Sequence, residues 1–222
     1  MVSIKDFVDR DAKILEICRG KRVLHLGCLG FPELPVQEKL DLVAAGFHSK
    51  MAKCCDCVGV DIDADTIRLL HDRKVFDDAH LLIGDVEELG ALSLKPQSFE
   101  MVVAGDIIEH LSNPGKMLAG ARKLLGPGGV LVVSTPNAFG LPNYLRFIAG
   151  RYREGAQHVL SFSQMTLEQL LARNGFAVRE AYTGFESHAK TAHGVWFGPA
   201  KSFLSSFPRF GGTLLFVCQS AT

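Results

Sequence analysis

The chain has 222 residues, 47% of them hydrophobic, and its 24 Lys and Arg residues balance its 24 Asp and Glu residues. This size and composition predict a single α/β domain with a large core, and the zero net charge argues against electrostatic capture of nucleic acid. The sequence shows neither a signal-peptide pattern nor an apolar run close to the roughly 18 residues of a membrane-spanning helix. We therefore expect a cytoplasmic protein without membrane insertion.

The six cysteines do not predict a disulfide framework, because a chain of this length and apolarity does not need one. Three of them are clustered, at Cys54, Cys55 and Cys57, and the other three add no second pair at metal-ligand spacing. We predict reduced, packed thiols and no metal site.

The first half of the chain alternates apolar strand patterns with amphipathic helix patterns. Residues 1–20 are predicted to form a helix that Ser3 caps and Gly20 ends. Strands are predicted over 22–26, 57–61, 80–85, 99–104 and 130–134. The intervening helices are predicted over 36–53, after a cap at Asp63 or Asp65, and over 113–125, with Pro114 in the first turn and a glycine-rich turn over 126–129 behind it.

The second half has a different composition. Residues 139–153 are aromatic and basic, 166–171 are helical, and 176–182 and 213–218 are the last two strand patterns. The element order predicts a doubly wound, mainly parallel sheet in one domain covering 1–222. We expect residues 138–165 and 186–210 to be substrate-side inserts or a lid. Their aromatic side chains would form an acceptor pocket, ordinary core or a dimer surface, and they include Phe139, Tyr144, Phe147 and Trp196.

Four successive strands end in residues suited to a nucleoside. These residues, at or directly after the strand ends, are Gly27-Cys28, Asp61, Asp85 and Gly105-Asp106. Ligands of such sheets bind outside the carboxyl ends of the strands, where one acid can accept hydrogen bonds from both ribose hydroxyls and another from an adenine amino group. The chain has no P-loop sequence, so we expect no phosphate cradle.

At these positions the chain resembles the class I S-adenosylmethionine-dependent methyltransferases. The matching segments are 23–30, 58–63, 83–87, 99–118 and 126–137, in the family's order. Segment 106–114 is similar to the corresponding segment of small-molecule O-methyltransferases of the ubiquinone-biosynthesis type. The resemblance implies a Rossmann-like seven-stranded sheet in an α/β/α sandwich, with a cofactor-binding core over 21–137 and an antiparallel last strand beside the sixth.

The resemblance also implies S-adenosylmethionine as cofactor and S-adenosylhomocysteine as product. The backbone of Gly27 and Cys28 would lie against the methionine end of the cofactor. Asp61 would bind the ribose, and Asp85 would contact the edge of the adenine. The full set of residues that we expect at the cofactor is His25, Gly27, Cys28, Gly30, Asp61, Ile62, Asp85, Val86, Asp106 and Ile107.

The loop after the first strand departs from the family pattern. His25 stands where an acid is usual, and Leu29 and Phe31 stand where glycines are usual. These departures leave open the alternative that the site no longer binds the cofactor and that the chain is a catalytically silent partner subunit. A nicotinamide-dependent oxidoreductase is a further alternative, but the glycine spacing at 27–32 does not fit it.

His110 is the candidate catalytic residue. A histidine near neutral pKa can take the proton of a substrate hydroxyl as the methyl group transfers, although the same residue could be bonded to the backbone. His158, His188 and His193 lie in the late segments without metal-ligand spacing. We predict methyl transfer to a small molecule, at a hydroxyl oxygen of a natural product, glycan or quinone-like metabolite, by a monomer or a homodimer.

Overall fold

The computed structural model describes residues 2–30, 34–76, 80–151, 155, 157–185 and 197–221. Phe31, His188, His193 and Trp196, which the sequence singled out, lie outside the described residues. Within the part that is described, no helix combines the length and apolarity that crossing a membrane requires.

Eight strands and eight α-helices make up the described chain. The strands are β1 (Ile4–Asp9), β2 (Arg22–Leu26), β3 (Asp56–Asp61), β4 (Leu81–Ile83), β5 (Phe99–Gly105), β6 (Leu125–Pro136), β7 (Phe176–Phe185) and β8 (Thr213–Ser220). The helices are α1 (Arg10–Cys18), α2 (Val36–Ala45), α3 (Phe47–Ala52), α4 (Ala64–Asp72), α5 (Pro114–Leu124), α6 (Leu141–Ile148), α7 (Gln164–Arg173) and α8 (Phe197–Ser206). Short 3₁₀ helices cover Val86–Ala91, Ile108–His110 and Pro208–Phe210.

The strands follow the order β1-β7-β8-β6-β5-β2-β3-β4 in one sheet. β2 is parallel to β3 and β5, and β3 is parallel to β4. β8 is antiparallel to β7, beside which it lies. The predicted mainly parallel, doubly wound sheet with an antiparallel last strand is confirmed, with eight strands in place of seven.

The additional strand comes from a segment that the sequence assigned to a helix. Ile4–Asp9 forms β1, parallel to β7 with Phe7 opposite Thr183, and the helix begins only at Arg10. Asp9, not Ser3, accepts the capping hydrogen bond, from the backbone N–H of Ala12 at 3.1 Å. The helix prediction over 1–20 is wrong in its first half because β7 offers backbone partners to this segment, and local periodicity cannot reveal a partner that lies far along the chain.

Two other local predictions need correction. The helix predicted over 36–53 is broken at Gly46, whose ψ of −178° is extended and not helical. A Cβ at this position would lie 2.7 Å from the carbonyl oxygen of Leu42, so the break requires glycine. The turn predicted over 126–129 lies inside β6, where Gly128 takes a φ of +73°.

Close contacts divide the chain into two compact units, which we describe separately. The β2–β5 unit comprises residues 15–105 and 113–131, and the β7–β8 unit comprises the described residues of 1–14, 106–112 and 132–222. In the β2–β5 unit, β3 is buried from Cys57 to Asp61, as expected of a parallel strand covered on both faces. In the β7–β8 unit the core includes Phe176, Ala181, Leu215 and Phe216.

Candidate functional site

The loop after β2 is open to a ligand. Gly27 and Gly30 have φ values of +65° and +60°, which favour glycine. The backbone N–H of Gly27 donates to the carbonyl oxygen of Val60 at 2.9 Å, which fixes the start of the loop to β3. A Cβ added at Gly30 would meet no atom of the described residues within 4 Å, so none of them covers this stretch of backbone. A ligand can therefore approach the main chain closely here.

Asp61 ends β3 and its carboxylate is tied to this loop. Oδ2 accepts a hydrogen bond from the backbone N–H of Leu29 at 2.9 Å, and Oδ1 accepts one from the N–H of Asp63 at 3.1 Å. Burial raises the pKa of the Asp61 carboxyl, and the hydrogen bond from Leu29 opposes that shift. The backbone N–H of Ile62 is a further donor to this carboxylate. Since a carboxylate has about four lone-pair positions, it keeps capacity for a ligand hydroxyl.

Ile62 and Asp63 follow Asp61, and Asp63 is the residue that caps α4. Asp63 caps α4 by accepting from the backbone N–H of Thr66 at 3.1 Å, and its Oδ2 pairs with Lys39 Nζ at 2.5 Å. Asp61 is therefore not needed as the cap, which had been the alternative to a binding role. Ile62 between them is 72% exposed, an apolar side chain left for a ligand to cover.

Asp85 lies at the same edge of the sheet. Asp61 pairs with Ile83 in the β3–β4 register, and the N–H of Gly84 donates to the carbonyl oxygen of Asp61 at 2.9 Å. The exposed Asp85 carboxylate accepts from the N–H of Glu87 at 2.8 Å and so caps the 3₁₀ helix, in which Val86 is buried. The structure thus brings Asp61 and Asp85 together at the ends of neighbouring strands, as expected.

A buried cluster lies beneath the loop, formed by His25, Cys28 and His48. His25 Nδ1 is 3.1 Å from His48 Nδ1, and the His25 ring packs edge-on against Phe47. Burial lowers the pKa of His48 to about 4 and raises the pKa of the Cys28 thiol. A Cβ at Gly59 would lie 2.7 Å from both Cys28 Sγ and His48 Cε1. His25 is thus a packed core residue, and its contact with a cofactor stays a prediction.

In the β7–β8 unit, a buried ion pair holds Asp106. Its Oδ2 pairs with Arg10 Nη1, and its Oδ1 accepts from Ser134 Oγ at 2.8 Å. Arg10 also donates from Nε to Asp11 Oδ1 at 2.8 Å. The Asp106 backbone has a φ of +48°, uncommon outside glycine, so these bonds hold a less favourable conformation. Sequence reasoning missed Arg10, and the roles predicted for Asp106 and Ile107 stay predictions.

The same unit brings His110 to two residues that the sequence did not connect with it. His110 Nε2 is 3.9 Å from Glu109 Oε1, and His158 Nε2 is 4.0 Å from the same oxygen. The two imidazole rings are perpendicular, with centroids 4.7 Å apart. The backbone N–H groups of Val159 and Leu160 both donate to the carbonyl oxygen of Glu109, which brings the His158 segment to this point. We call these three residues the Glu109–His110–His158 cluster.

The segment expected to form an acceptor pocket or lid is largely exposed. Phe139, Tyr144 and Phe147 are exposed, and α6 buries none of its residues. Arg146, one of the basic residues of this segment, donates to Asn143 Oδ1 at 3.2 Å. The lid therefore stays a prediction.

Comparison with known sequences gives consistent results. A family model described as "Methyltransferase domain" matches residues 5–181. A probable S-adenosylmethionine-dependent methyltransferase of Mycolicibacterium smegmatis is 28% identical over 199 residues, which cover 89% of this chain and 63% of that protein. The ubiquinone biosynthesis O-methyltransferase of a Bradyrhizobium strain is 30% identical over 131 residues, covering 58% of this chain and 45% of that enzyme. The chain thus spans less than two thirds of the length of these relatives.

Solved structures share the fold. One chain of the complex between the Haloferax volcanii Trm112 methyltransferase activator and a methyltransferase aligns with a TM-score of 0.58 and 16% identity. The alignment covers 96% of this chain and 89% of that one. At this level of identity the likeness shows the fold alone.

Proposed function

This chain belongs to the class I S-adenosylmethionine-dependent methyltransferases, and we propose that it methylates a hydroxyl oxygen of a small molecule. Its cofactor is S-adenosylmethionine, which sets aside the nicotinamide-dependent alternative. The proposed acceptor is a natural product, a glycan or a quinone-like metabolite. The similarity of the chain to an enzyme named for ubiquinone biosynthesis and for O-methylation supports this acceptor class.

The β2–β5 unit fits the nucleoside part of the cofactor. We assign the ribose hydroxyls to Asp61, whose carboxylate keeps acceptor capacity beside its backbone donors. The exposed Ile62 would cover one adenine face, and Asp85 with Val86 would border the adenine edge. The backbone at Gly27 and Cys28 would lie against the methionine end of the cofactor. The open space at Gly30 supports this assignment, because a side chain there would compete with the ligand.

The observation that carries the proposed hydroxyl chemistry is the hydrogen bond of His110. Its Nδ1 lies 3.2 Å from the carbonyl oxygen of Gln157, which can only accept, so Nδ1 carries the hydrogen. In the neutral ring Nε2 is then an acceptor, and the side chain is 30% exposed. His110 Nε2 would take the hydroxyl proton of the acceptor.

The bound cofactor supplies a methyl group on a cationic sulfur, which becomes a neutral thioether when the acceptor oxygen takes the methyl carbon. Such an in-line displacement gains from the alignment of its two reactants, so positioning contributes alongside the base. His110 serves both purposes if its Nε2 accepts a hydrogen bond from the hydroxyl. The neighbouring carboxylate of Glu109 would stabilise the imidazolium that forms.

Turnover of the His110→Ala variant tests this proposal. Transfer of a labelled methyl group from S-adenosylmethionine to a panel of hydroxylated aromatic and sugar acceptors would be measured. We expect turnover to fall about 100-fold or more, the typical share of a general base, with the affinity for S-adenosylhomocysteine unchanged. The exposed His80 provides the matched His80→Ala control. Wild-type turnover in the His110 variant would overturn the assignment.

A second candidate is a subunit that is active only with a partner. One structural neighbour comes from a complex with a methyltransferase activator, and the unusual His25 and Leu29 had suggested a silent subunit. This candidate predicts micromolar binding of S-adenosylhomocysteine together with no turnover on any acceptor until the partner is added. The same acceptor panel distinguishes it from an enzyme that acts alone.

A further inference from the structure

The Glu109–His110–His158 cluster has the composition of a metal site. One ligand atom from each residue lies within 4.8 Å of the other two, and in the described part of the chain this is the one group of three His, Cys, Asp or Glu side chains that does so. Around a tetrahedral ion with bonds of about 2.1 Å, neighbouring ligand atoms lie about 3.4 Å apart. The separations of 3.9 and 4.0 Å from Glu109 Oε1 therefore need to close by only a small movement of the side chains.

We propose that Glu109 Oε1, His110 Nε2 and His158 Nε2 bind one divalent transition-metal ion. Two imidazoles with one carboxylate favour zinc, cobalt, iron or manganese over calcium and magnesium, which prefer sets made entirely of oxygen. Three protein ligands leave at least one coordination position open, as in catalytic and not structural sites.

The surroundings of the cluster already orient its ligands. The Nδ1–H of His110 donates to the carbonyl oxygen of Gln157, which directs the Nε2 lone pair towards the other two residues. Thr135 Oγ1 donates to Glu109 Oε2 at 2.9 Å, so Oε1 is the carboxylate oxygen that faces the histidines. Metal ligands characteristically have such outer partners, which fix the tautomer of a histidine and the rotamer of a carboxylate.

Burial and space also favour an ion here. The Glu109 side chain is 2% exposed, and an anion removed from water in this way is stabilised by a cation. A small cavity is lined by Glu109, Thr135, Asn143 and His158.

The ion would change the chemistry assigned to His110, and this consequence rests on the proposed function. With the ion bound, His110 Nε2 is a ligand and no longer a base. The ion would lower the pKa of a hydroxyl held at the open position, because a cation stabilises the oxygen anion. The hydroxyl proton would go to solvent, and the methyl carbon would pass from sulfur to that oxygen while the electron pair of the broken bond stays on sulfur.

Cobalt binding tests the site without any catalytic assay. Chelator-treated protein would be titrated with Co²⁺ and followed by visible absorption and by calorimetry, in the absence of cofactor and acceptor. We expect one ion per chain, and His158→Ala and Glu109→Gln should each weaken binding by more than the 10–100-fold that loss of an outer partner costs. Thermal unfolding of each variant checks that it folds, and His158→Asn provides a second, smaller change at the same position.

Two controls separate this site from others. The exposed His80→Ala and the double variant Cys54→Ser/Cys55→Ser should bind Co²⁺ as the wild type does. Absence of binding by the wild type, or wild-type affinity in the folded His158 variants, would overturn the proposal. Loss of the ion in the cysteine variant alone would also overturn it, because the ion would then lie at the thiols. Failure of methyl transfer would not affect these results, since they need neither cofactor nor acceptor.

Discussion

The backbone N–H of Leu29 donates to Asp61 Oδ2 at 2.9 Å and so joins the loop after β2 to the end of β3. The Leu29 side chain points away from this bond into a buried cluster that includes Leu40, Ile67 and Leu70. Leucine in place of the glycine usual in the family is therefore accommodated by the core, while its main chain makes the contact that shapes the loop. This departure from the family pattern is compatible with an intact cofactor site.

Asp61→Ala should weaken the binding of S-adenosylhomocysteine at least tenfold, because the buried charged acceptor for the ribose hydroxyls would be lost. Asp61→Asn should have a similar effect, since an amide nitrogen replaces one acceptor oxygen. Calorimetry measures both. Asp65 lies four positions further on, is exposed and forms a surface ion pair with Arg68, so Asp65→Asn is the matched control. Wild-type affinity in Asp61→Ala would refute the ribose assignment.

The same carboxylate predicts a pH dependence of cofactor binding. Burial raises the pKa of the Asp61 carboxyl, so protonation begins at a higher pH than for an ordinary aspartate. The ionised form would accept hydrogen bonds from the ribose, and the protonated form loses an acceptor site. Affinity should thus be full above the Asp61 pKa and fall as the pH decreases through it. Asp61→Asn should remove this dependence, and an identical pH profile in that variant would contradict the interpretation.

His48 should make folding stability depend on pH. Burial lowers its pKa from 6.5 to about 4 in the folded chain. Between these values the unfolded chain binds a proton that the folded chain does not, so the free energy of unfolding falls as the pH decreases from 6.5 towards 4. At about 1.4 kcal/mol per pH unit the loss is on the order of 3 kcal/mol.

Denaturant unfolding of His48→Gln at several pH values measures this contribution. The variant should show a shallower pH dependence than the wild type, and the exposed His80→Gln should show the wild-type slope. Equal slopes for His48→Gln and the wild type would mean that the buried imidazole already carries a proton in the folded state.

Arg10 should stabilise the fold far more than a surface arginine does. Arg10 and Asp11 are buried and Asp106 is partly buried, so Arg10→Gln would leave two carboxylates without their cation at a cost of about 3 kcal/mol. Arg22 pairs with Asp56 at the surface, where both side chains are about half exposed, and Arg22→Gln should cost less than about 1 kcal/mol. Urea unfolding of the two variants compares them directly. Similar destabilisation by both substitutions would contradict the buried pair.

Parts of the fold with strong local signals could be predicted from the sequence. The sequence predicted the cap of α4 at Asp63 or Asp65, and the structure has it at Asp63. Asn113-Pro114 predicted the start of α5, which begins at Pro114. The strand ends at Asp61 and Asp85 were predicted from apolar runs that stop at an acid, and parallel pairing brings them to one edge. These features depend on neighbouring residues, which the sequence displays directly.

Other features depend on residues far apart in the chain. β1 exists because β7 pairs with it, and the buried bond between His25 and His48 joins a strand to a later helix. The approach of His158 to Glu109 depends on a segment that returns after α6 and binds Glu109 through its backbone. No spacing rule could find that cluster, since its ligands come from two distant segments, and for the same reason no metal site was predicted.

Calorimetric titration of the purified chain with S-adenosylhomocysteine, with NADH in parallel, tests the central claim most directly. We predict micromolar binding of S-adenosylhomocysteine at one site per chain and no binding of NADH. Absence of S-adenosylhomocysteine binding by the folded protein would contradict the account, and the unusual loop after β2 would then be the first place to look for the cause.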